Sequence, residues 1–324
     1  MRVATTVSFG PPSVLKLAES PAPEIGAHDL RVRVVAASVT AADRRLRTAD
    51  YPGISAIFGR LLFGITSPRY PVQGTNFSGR VVEVGSNVTQ YSVGDDVFGG
   101  TNHGAYAEFL AVAEDGPMAK IPQGISHEDA TTLPYGAGTA VNFLRDIAAV
   151  KPGESVLILG ASGGVGRYAV QYAKHLGAQV TAVCSRAQFD LMSELGADHV
   201  IDHRSEDFTA NGKQYDVIFD IADASSFRHS RGSLTDSGRY VTLYISIRVL
   251  MQMAWTKLVG GKRALFSVAV GSPKSASELA HMLTDGAFRP VVTDRFSLSE
   301  VAEAHRLSER GVHGDVIVEV SKAS

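Results

Sequence analysis

Seven residues, Gly160-Ala-Ser-Gly-Gly-Val-Gly166, carry the clearest chemical signal in this chain. Gly160, Gly163, Gly164 and Gly166 let a backbone turn tightly and approach a pyrophosphate, whose charge is favoured by a helix N-terminus. The run follows a short apolar strand, Val156 to Leu159, and opens a helical pattern from Val165 to Leu176. Apolar or aromatic residues recur there at 165, 168/169, 172/173 and 176, one face of a helix. Gly177 ends the helix, and Gln179 to Cys184 reads as a second, β-branched and apolar strand. A glycine triplet alone fits a turn that only packs helix on strand. The complete strand–turn–helix–strand unit, about thirty residues long, is the context a dinucleotide site requires.

The end of the second strand bears on which dinucleotide. An NAD site places an acid there to accept from the ribose 2′-hydroxyl. This chain has Cys184-Ser185-Arg186 and no carboxylate until Asp190. A hydroxyl and a guanidinium suit a 2′-phosphate, because Arg pairs with phosphate bidentately. The alternative is a solvated surface arginine. The missing acid and the present base agree on NADPH as the cofactor.

Composition sets the bounds. A chain of 324 residues with 44% hydrophobic content has room for two domains with substantial cores. A net charge of −2 gives no reason to expect nucleic acid or a membrane as partner. The longest apolar stretch, Val241 to Leu258, is broken by Arg248, Gln252 and Lys257, so it is not read as a span. Met1 to Ser20 has no apolar run of signal-peptide length, so a cytoplasmic protein is expected. One cysteine, Cys184, excludes an intrachain disulfide and any multi-cysteine zinc site.

The elements that must hold the glycine turn follow from the pattern on either side. Leu30 to Val35 alternates, Gly79 to Gly85, Val93 to Phe98 and Ala105 to Val112 read as short strands, and Lys120-Ile-Pro122 closes the section. Turns rich in Gly, Pro, Asn and Asp make this a β-rich region. From about Ser126 the pattern becomes βα, as a doubly wound parallel sheet requires. A helix is expected over Val141 to Val150, and strands over Val200 to Asp202, Asp216 to Asp220, Arg239 to Tyr244 and Arg263 to Val270. The tail from Pro290 contains a helix, Leu298 to Arg310, and a strand, Asp315 to Val320.

With Leu157 to Gly166, Leu195-Gly-Ala-Asp-His-Val-Ile-Asp202, Gly74 to Gly85 and Gly136-Ala-Gly-Thr-Ala140 in this order, the chain resembles the medium-chain dehydrogenase/reductase superfamily, specifically its zinc-free, quinone oxidoreductase-like branch. The resemblance implies an α/β fold: a Rossmann doubly wound parallel sheet inserted into a β-rich GroES-like domain. Residues 1–122 and 291–324 would form the GroES-like substrate domain and 123–290 the dinucleotide domain. Zinc alcohol dehydrogenases of this superfamily hold metal with a Cys, a His, and a Cys or Asp. Thr40, Thr75 and Tyr135 stand at those positions here, and zinc prefers imidazole, thiolate or carboxylate. No metal is expected. Without a Lewis acid, alcohol oxidation loses its support. Reduction of a quinone or an α,β-unsaturated carbonyl needs only aligned nicotinamide, hydrogen-bond donors and a proton.

The resemblance also implies roles. Ser162, Gly164 and Val165 would meet the pyrophosphate. His203 stands where relatives commonly carry a Tyr near the 2′-phosphate, though a surface histidine fits equally. Thr139 lies in an element close to the cofactor, or packs a helix. Leu243 and Tyr244 end a strand near the nicotinamide, and the bulk of Tyr244 narrows that pocket. Thr40 replaces a usual Asn in the substrate cleft. Tyr51 either donates to substrate or packs a turn beside Pro52-Gly53. Asp43 is expected to be structural, capping a helix from about Arg44. The apolar segment Ile54 to Arg69 is either a lid, or a partner surface, or a helix over core. An apolar, electron-poor small molecule is the expected substrate, and a homodimer through Arg263 to Val270 the expected assembly. Two rivals stand. One is an enoyl-thioester reductase using Arg44, Arg45 and Arg47 as a basic groove, and the other is an NADPH-binding sensor without turnover.

Overall fold

Two sheets organise the computed structural model, which describes residues 1–311 and 314–321. The first has six strands in the order His199–Asp202, Gln179–Cys184, Ser155–Leu159, Tyr215–Asp220, Leu234–Thr242 and Arg263–Phe266. All neighbours run parallel. Val156 and Ile158 pack into one core cluster while Leu157 and Leu159 pack into another, on the opposite face. Burial on both faces explains why this strand is apolar throughout rather than alternating.

The second sheet has seven strands, of which Val292–Ser297, Asp315–Glu319, Asp29–Val39, Asn76–Val84, Asp96–Gly100 and Met118–Lys120 form one path. Phe109–Ala113 pairs with Asp29–Val39 as well. Leu30, Val32 and Val34 are buried while Arg31 and Arg33 are not, the alternation of a one-sided sheet. The chain leaves this sheet after Lys120 and rejoins it at Val292, so Leu298, Val301, Val316 and Val318 share a core with Leu30 and Phe77. Nothing in the local pattern of Asp315–Glu319 announces that it pairs antiparallel with Asp29–Val39.

Several elements differ from expectation. The strand expected over Arg263 to Val270 ends at Phe266, because its neighbour ends opposite it at Thr242 and leaves no backbone to pair. Gly94 takes a positive φ of 98°, so a turn occupies the start of Val93 to Phe98 and the strand begins at Asp96. The helix expected from Val141 starts at Gly136, and Asn142–Ile147 is wound as a π-helix. Gly136 permits that early start: a Cβ there would lie 2.8 Å from the Gly164 carbonyl oxygen and 2.6 Å from the Tyr168 ring. The apolar stretch after Val241 forms a helix, Ile247–Val259, and among the described residues no helix is long and apolar enough to cross a membrane.

Candidate cofactor and substrate clefts

The glycine turn sits at the C-terminal end of Ser155–Leu159, where doubly wound sheets open their ligand crevice. Its glycines do different work. Gly160 has φ +80°, and a Cβ there would meet Ala222 at 2.8 Å. A Cβ on Gly166 would lie 2.2 Å from the Gly160 carbonyl oxygen, so this glycine lets the helix Gly164–His175 close onto the turn. Gly164 faces open space, with no atom within 4 Å of its added Cβ. No side chain caps that helix at Gly163, which leaves its first amides to a ligand or to water. A diphosphate fits this cradle in shape and in charge.

Gly160, Ser162, Gly163, Gly164 and Val165 line a cleft of about 390 Å³, together with Thr40, Tyr135, Leu243 and Tyr244. A larger cavity of about 1130 Å³ adjoins it and is lined by Tyr51, Thr75, Tyr135, Thr139 and Leu243. Arg45, Tyr135 and Leu243 line both, so they form the boundary between the two. Thr139 therefore lies on the larger cavity rather than in the smaller cleft. The Arg45 guanidinium stands 5.4 Å from the Tyr244 ring centroid, a cation–π contact that holds both side chains at the boundary.

Thr40 caps the helix Ala41–Thr48, and Asp43 stands three residues in as its reciprocal partner. This corrects the expectation of Asp43 as the cap of a helix from Arg44. The Thr40 hydroxyl donates to Asp43 Oδ2 at 2.6 Å, and the Thr40 amide donates to the same oxygen at 2.8 Å. Thr75 Oγ1 lies 3.4 Å from Thr40 Oγ1. Asp43 is 1% exposed, and burial raises its carboxyl from 3.8 to about 6 although hydrogen bonds from Thr40 and Thr75 oppose the rise. Asp43 Oδ2 thus connects through the Thr40 hydroxyl to the smaller cleft, and Thr75, on the larger cavity, lies beside that hydroxyl.

Tyr51 lies against the helix Ser55–Phe63, its ring stacked on Phe63 at 6.3 Å and pressed on Gly59. Its hydroxyl is buried without a hydrogen-bond partner. A buried O–H without an acceptor is costly, so this phenol is set to donate to whatever oxygen reaches it. Ser185 and His203 follow the ends of neighbouring parallel strands, and the His203 amide donates to the Cys184 carbonyl. Arg186 and His203 are exposed at this corner, with Arg186 5.7 Å from the Phe189 ring centroid. Arg44 and Arg45 face the clefts, whereas Arg47 does not. Arg47 is fully buried, donating to Glu309, to the Gly10 carbonyl and to His305.

Two features were not foreseen. Asp220 accepts from the amides of Ala222, Ala224 and Ser225 and from the Tyr240 hydroxyl, and so shapes the loop that backs Gly160. Arg167, one turn into the glycine-turn helix, donates to the Ser162 carbonyl at 2.9 Å and to Asp315 at 2.7 Å. The first has a sequence signal, an acid closing an apolar strand at a sheet's C-terminal end. The second joins residues 148 positions apart and has none.

Comparison with known proteins settles the lineage. Residues 26–123 match a family described as the alcohol dehydrogenase GroES-like domain, and residues 195–318 match one described as zinc-binding dehydrogenase. The chain is 30% identical to the chloroplastic quinone-oxidoreductase QR1 of Triphysaria versicolor, over 94% of each protein. It belongs to the medium-chain dehydrogenase/reductase superfamily, as a quinone oxidoreductase-like member. It is also 31% identical to the mitochondrial NAD(P)H oxidoreductase RTN4IP1 of Homo sapiens, over 90% of this chain and 82% of that one. The structure of the quinone oxidoreductase from Coxiella burnetii superposes with a TM-score of 0.87 at 29% identity, covering 99% of both chains. This superfamily member is an oxidoreductase. Among the described residues, no three His, Cys, Asp or Glu side chains gather where they could hold a metal ion.

Proposed function

We propose that the chain is a zinc-independent, NADPH-dependent reductase of quinones or other α,β-unsaturated carbonyls. The observation that carries this reading is the shared wall of Arg45, Tyr135 and Leu243 between a glycine-lined cleft and a large, mainly apolar cavity. Gly160 to Gly166 would hold the diphosphate of NADPH, with Ser185, Arg186 and His203 available to its 2′-phosphate, and the bound cofactor would supply the hydride for an electron-poor carbon. The chain's own groups then handle the negative charge that develops on the conjugated oxygen. Tyr51 and Thr75 offer hydroxyls from the cavity side. Asp43, when protonated, can pass its proton from Oδ2 to Thr40 Oγ1, 2.6 Å away, as the Thr40 hydroxyl releases its own proton to the reduced substrate. Pairing of two copies through the terminal strand Arg263–Phe266 is part of the same reading.

Cofactor oxidation followed against quinones, enones and enoyl thioesters, with NADPH and NADH in parallel, tests it. Turnover of quinones or enones with NADPH supports the proposal. Preference for a thioester would select the enoyl reductase, for which Arg44 and Arg45 at the clefts supply a basic rim. Binding without turnover would select the sensor. Arg186→Ala is expected to raise KM for NADPH about tenfold to a hundredfold and leave NADH unchanged, since a charge-assisted hydrogen bond contributes about 1.5–3 kcal/mol. An equal effect on both cofactors would remove Arg186 from the 2′-phosphate.

Two glycine substitutions separate packing from ligand approach. Gly166→Ala is expected to lower stability by about 1–3 kcal/mol through overpacking against the Gly160 carbonyl. Gly164→Ala is expected to leave the melting temperature unchanged and weaken NADPH binding about tenfold, because its methyl enters only the open cradle. Calorimetry and cofactor titration of the two variants read these effects independently.

A further inference from the structure

Cofactor and acceptor must meet where the two clefts meet, and among the described residues Arg45, Tyr135 and Leu243 are the side chains common to both. Leu243 has no polar group to offer there. Tyr135 immediately precedes the helix Gly136–Val141. A Cβ on Gly136 would lie 2.8 Å from the Gly164 carbonyl oxygen, so the backbone beside Tyr135 is pressed on the glycine turn. The Tyr135 hydroxyl makes no hydrogen bond among the described residues. Arg45 arrives from a different element, the helix Ala41–Thr48.

Arg45 is half-buried, and its charge is not compensated. The acids that line the clefts are Asp146, Glu278, Glu309 and Asp315. Each is paired elsewhere, the first two with Arg145, Glu309 with Arg47 and Asp315 with Arg167. Asp43, two positions before Arg45, directs Oδ2 to Thr40. What holds Arg45 is the Tyr244 ring at 5.4 Å, and a cation–π contact fixes a guanidinium while leaving its N–H donors free. Its charge also reaches Tyr135. Burial raises that phenol, Tyr244 and Asp43 add to the rise, and Arg45 opposes it.

We propose that Tyr135 and Arg45 form the oxyanion site of the acceptor, the phenol O–H and the guanidinium N–H groups donating to its oxygen as that oxygen gains charge. The assignment rests on the reductase reading for its reaction. As a hydride joins the electron-poor carbon, the carbonyl π pair moves onto oxygen, and two donors there, one of them cationic, hold the charge. No proton leaves the tyrosine. The proton that completes the reduction comes by way of Thr40, so charge stabilisation and proton supply fall to different residues. Tyr51 and Thr75 add hydroxyls from the larger cavity, whereas Tyr135 and Arg45 reach from the boundary itself. A fixed cation beside a hydroxyl favours a charged oxygen over a neutral carbonyl, so the pair acts on the chemical step more than on binding.

Tyr135→Phe keeps the ring and removes one donor. It is expected to lower kcat about a hundredfold, the usual loss for one oxyanion donor, with the melting temperature and the KM for NADPH unchanged. Arg45→Met is expected to lose as much, and Arg45→Lys to recover part of the loss, because the charge returns without the planar fork. A second readout needs no turnover. 4-Nitrophenol is titrated into the full chain saturated with oxidised NADP, and the phenolate is followed by its absorbance. The phenolate carries its charge on oxygen as the reduced acceptor does, so the native protein is expected to bind it about tenfold or more tightly than the neutral phenol. Tyr135→Phe and Arg45→Met should each lose most of that preference. A native protein that does not prefer the phenolate would overturn the proposal, and so would variants that keep the native preference or the native kcat. A phenolate preference that depends on both residues, in a chain that reduces no quinone or enone, would uphold the oxyanion site and refute the reductase reading alone.

Discussion

Arg167→Met is expected to destabilise the fold by about 3–5 kcal/mol, the usual cost of leaving one member of a buried ion pair alone. The Arg167 side chain is 3% exposed and meets Asp315 at 2.7 Å. Burial already raises the Asp315 carboxyl above its ordinary value, and the arginine is what pulls it back. Without the cation, that carboxyl rises further and is protonated in the folded state before it is in the unfolded state. The sign follows: the folded variant binds more protons, so its deficit shrinks as pH falls toward the unfolded carboxyl value and grows as pH rises through the folded one. Urea unfolding across that range measures both size and slope. Arg167→Met combined with Asp315→Leu should recover more than half of the loss, since an apolar pair needs no charge compensation. Additive losses in the double variant would show that the ion pair is not the cause. Because Arg167 also holds the Ser162 carbonyl, the single variant should weaken cofactor binding as well.

Asp43→Asn is expected to lower the rate of enone or quinone reduction by about a hundredfold, within the range for loss of a general acid. With the native carboxyl raised to about 6, the fraction that carries a proton to donate falls as pH rises through that value. Turnover of the native protein should therefore fall as pH rises through about 6, and the variant should show no such limb. Stability provides an independent readout. A carboxyl raised from 3.8 to about 6 contributes about 3 kcal/mol that is fully present below the unfolded value and lost as pH rises to about 6. The Asn variant should be flat across that window. The amide oxygen still accepts from Thr40, so the helix cap survives the change. Unchanged activity with an altered stability profile would confine Asp43 to a structural role.

The glycine turn was legible because its requirements are local. Gly160 needs a positive φ and Gly166 needs the absence of a Cβ, and both demands are written in residues a few positions apart. The strand Gln179–Cys184 and the helix after Gly163 were legible for the same reason, since period and breaker residues act over one element. The lineage was legible too, because Gly74 to Gly85, Gly136 to Ala140, Leu157 to Gly166 and Leu195 to Asp202 are separated motifs whose order survives in the chain.

Tertiary structure alone decided the rest. Thr40, expected as a substrate contact, has its hydroxyl engaged by Asp43, and only the fold brings Thr75 beside them. Arg47, offered by the sequence to a basic groove, is instead closed in by packing with Glu309 and His305 from the far end of the chain. Asp315 acquires its meaning from Arg167. Sequence determined the local backbone demands and the identities of the chemical groups, because those depend on neighbours along the chain. Burial, pairing and the pKa of Asp43 depend on neighbours in space, and no local pattern carries them.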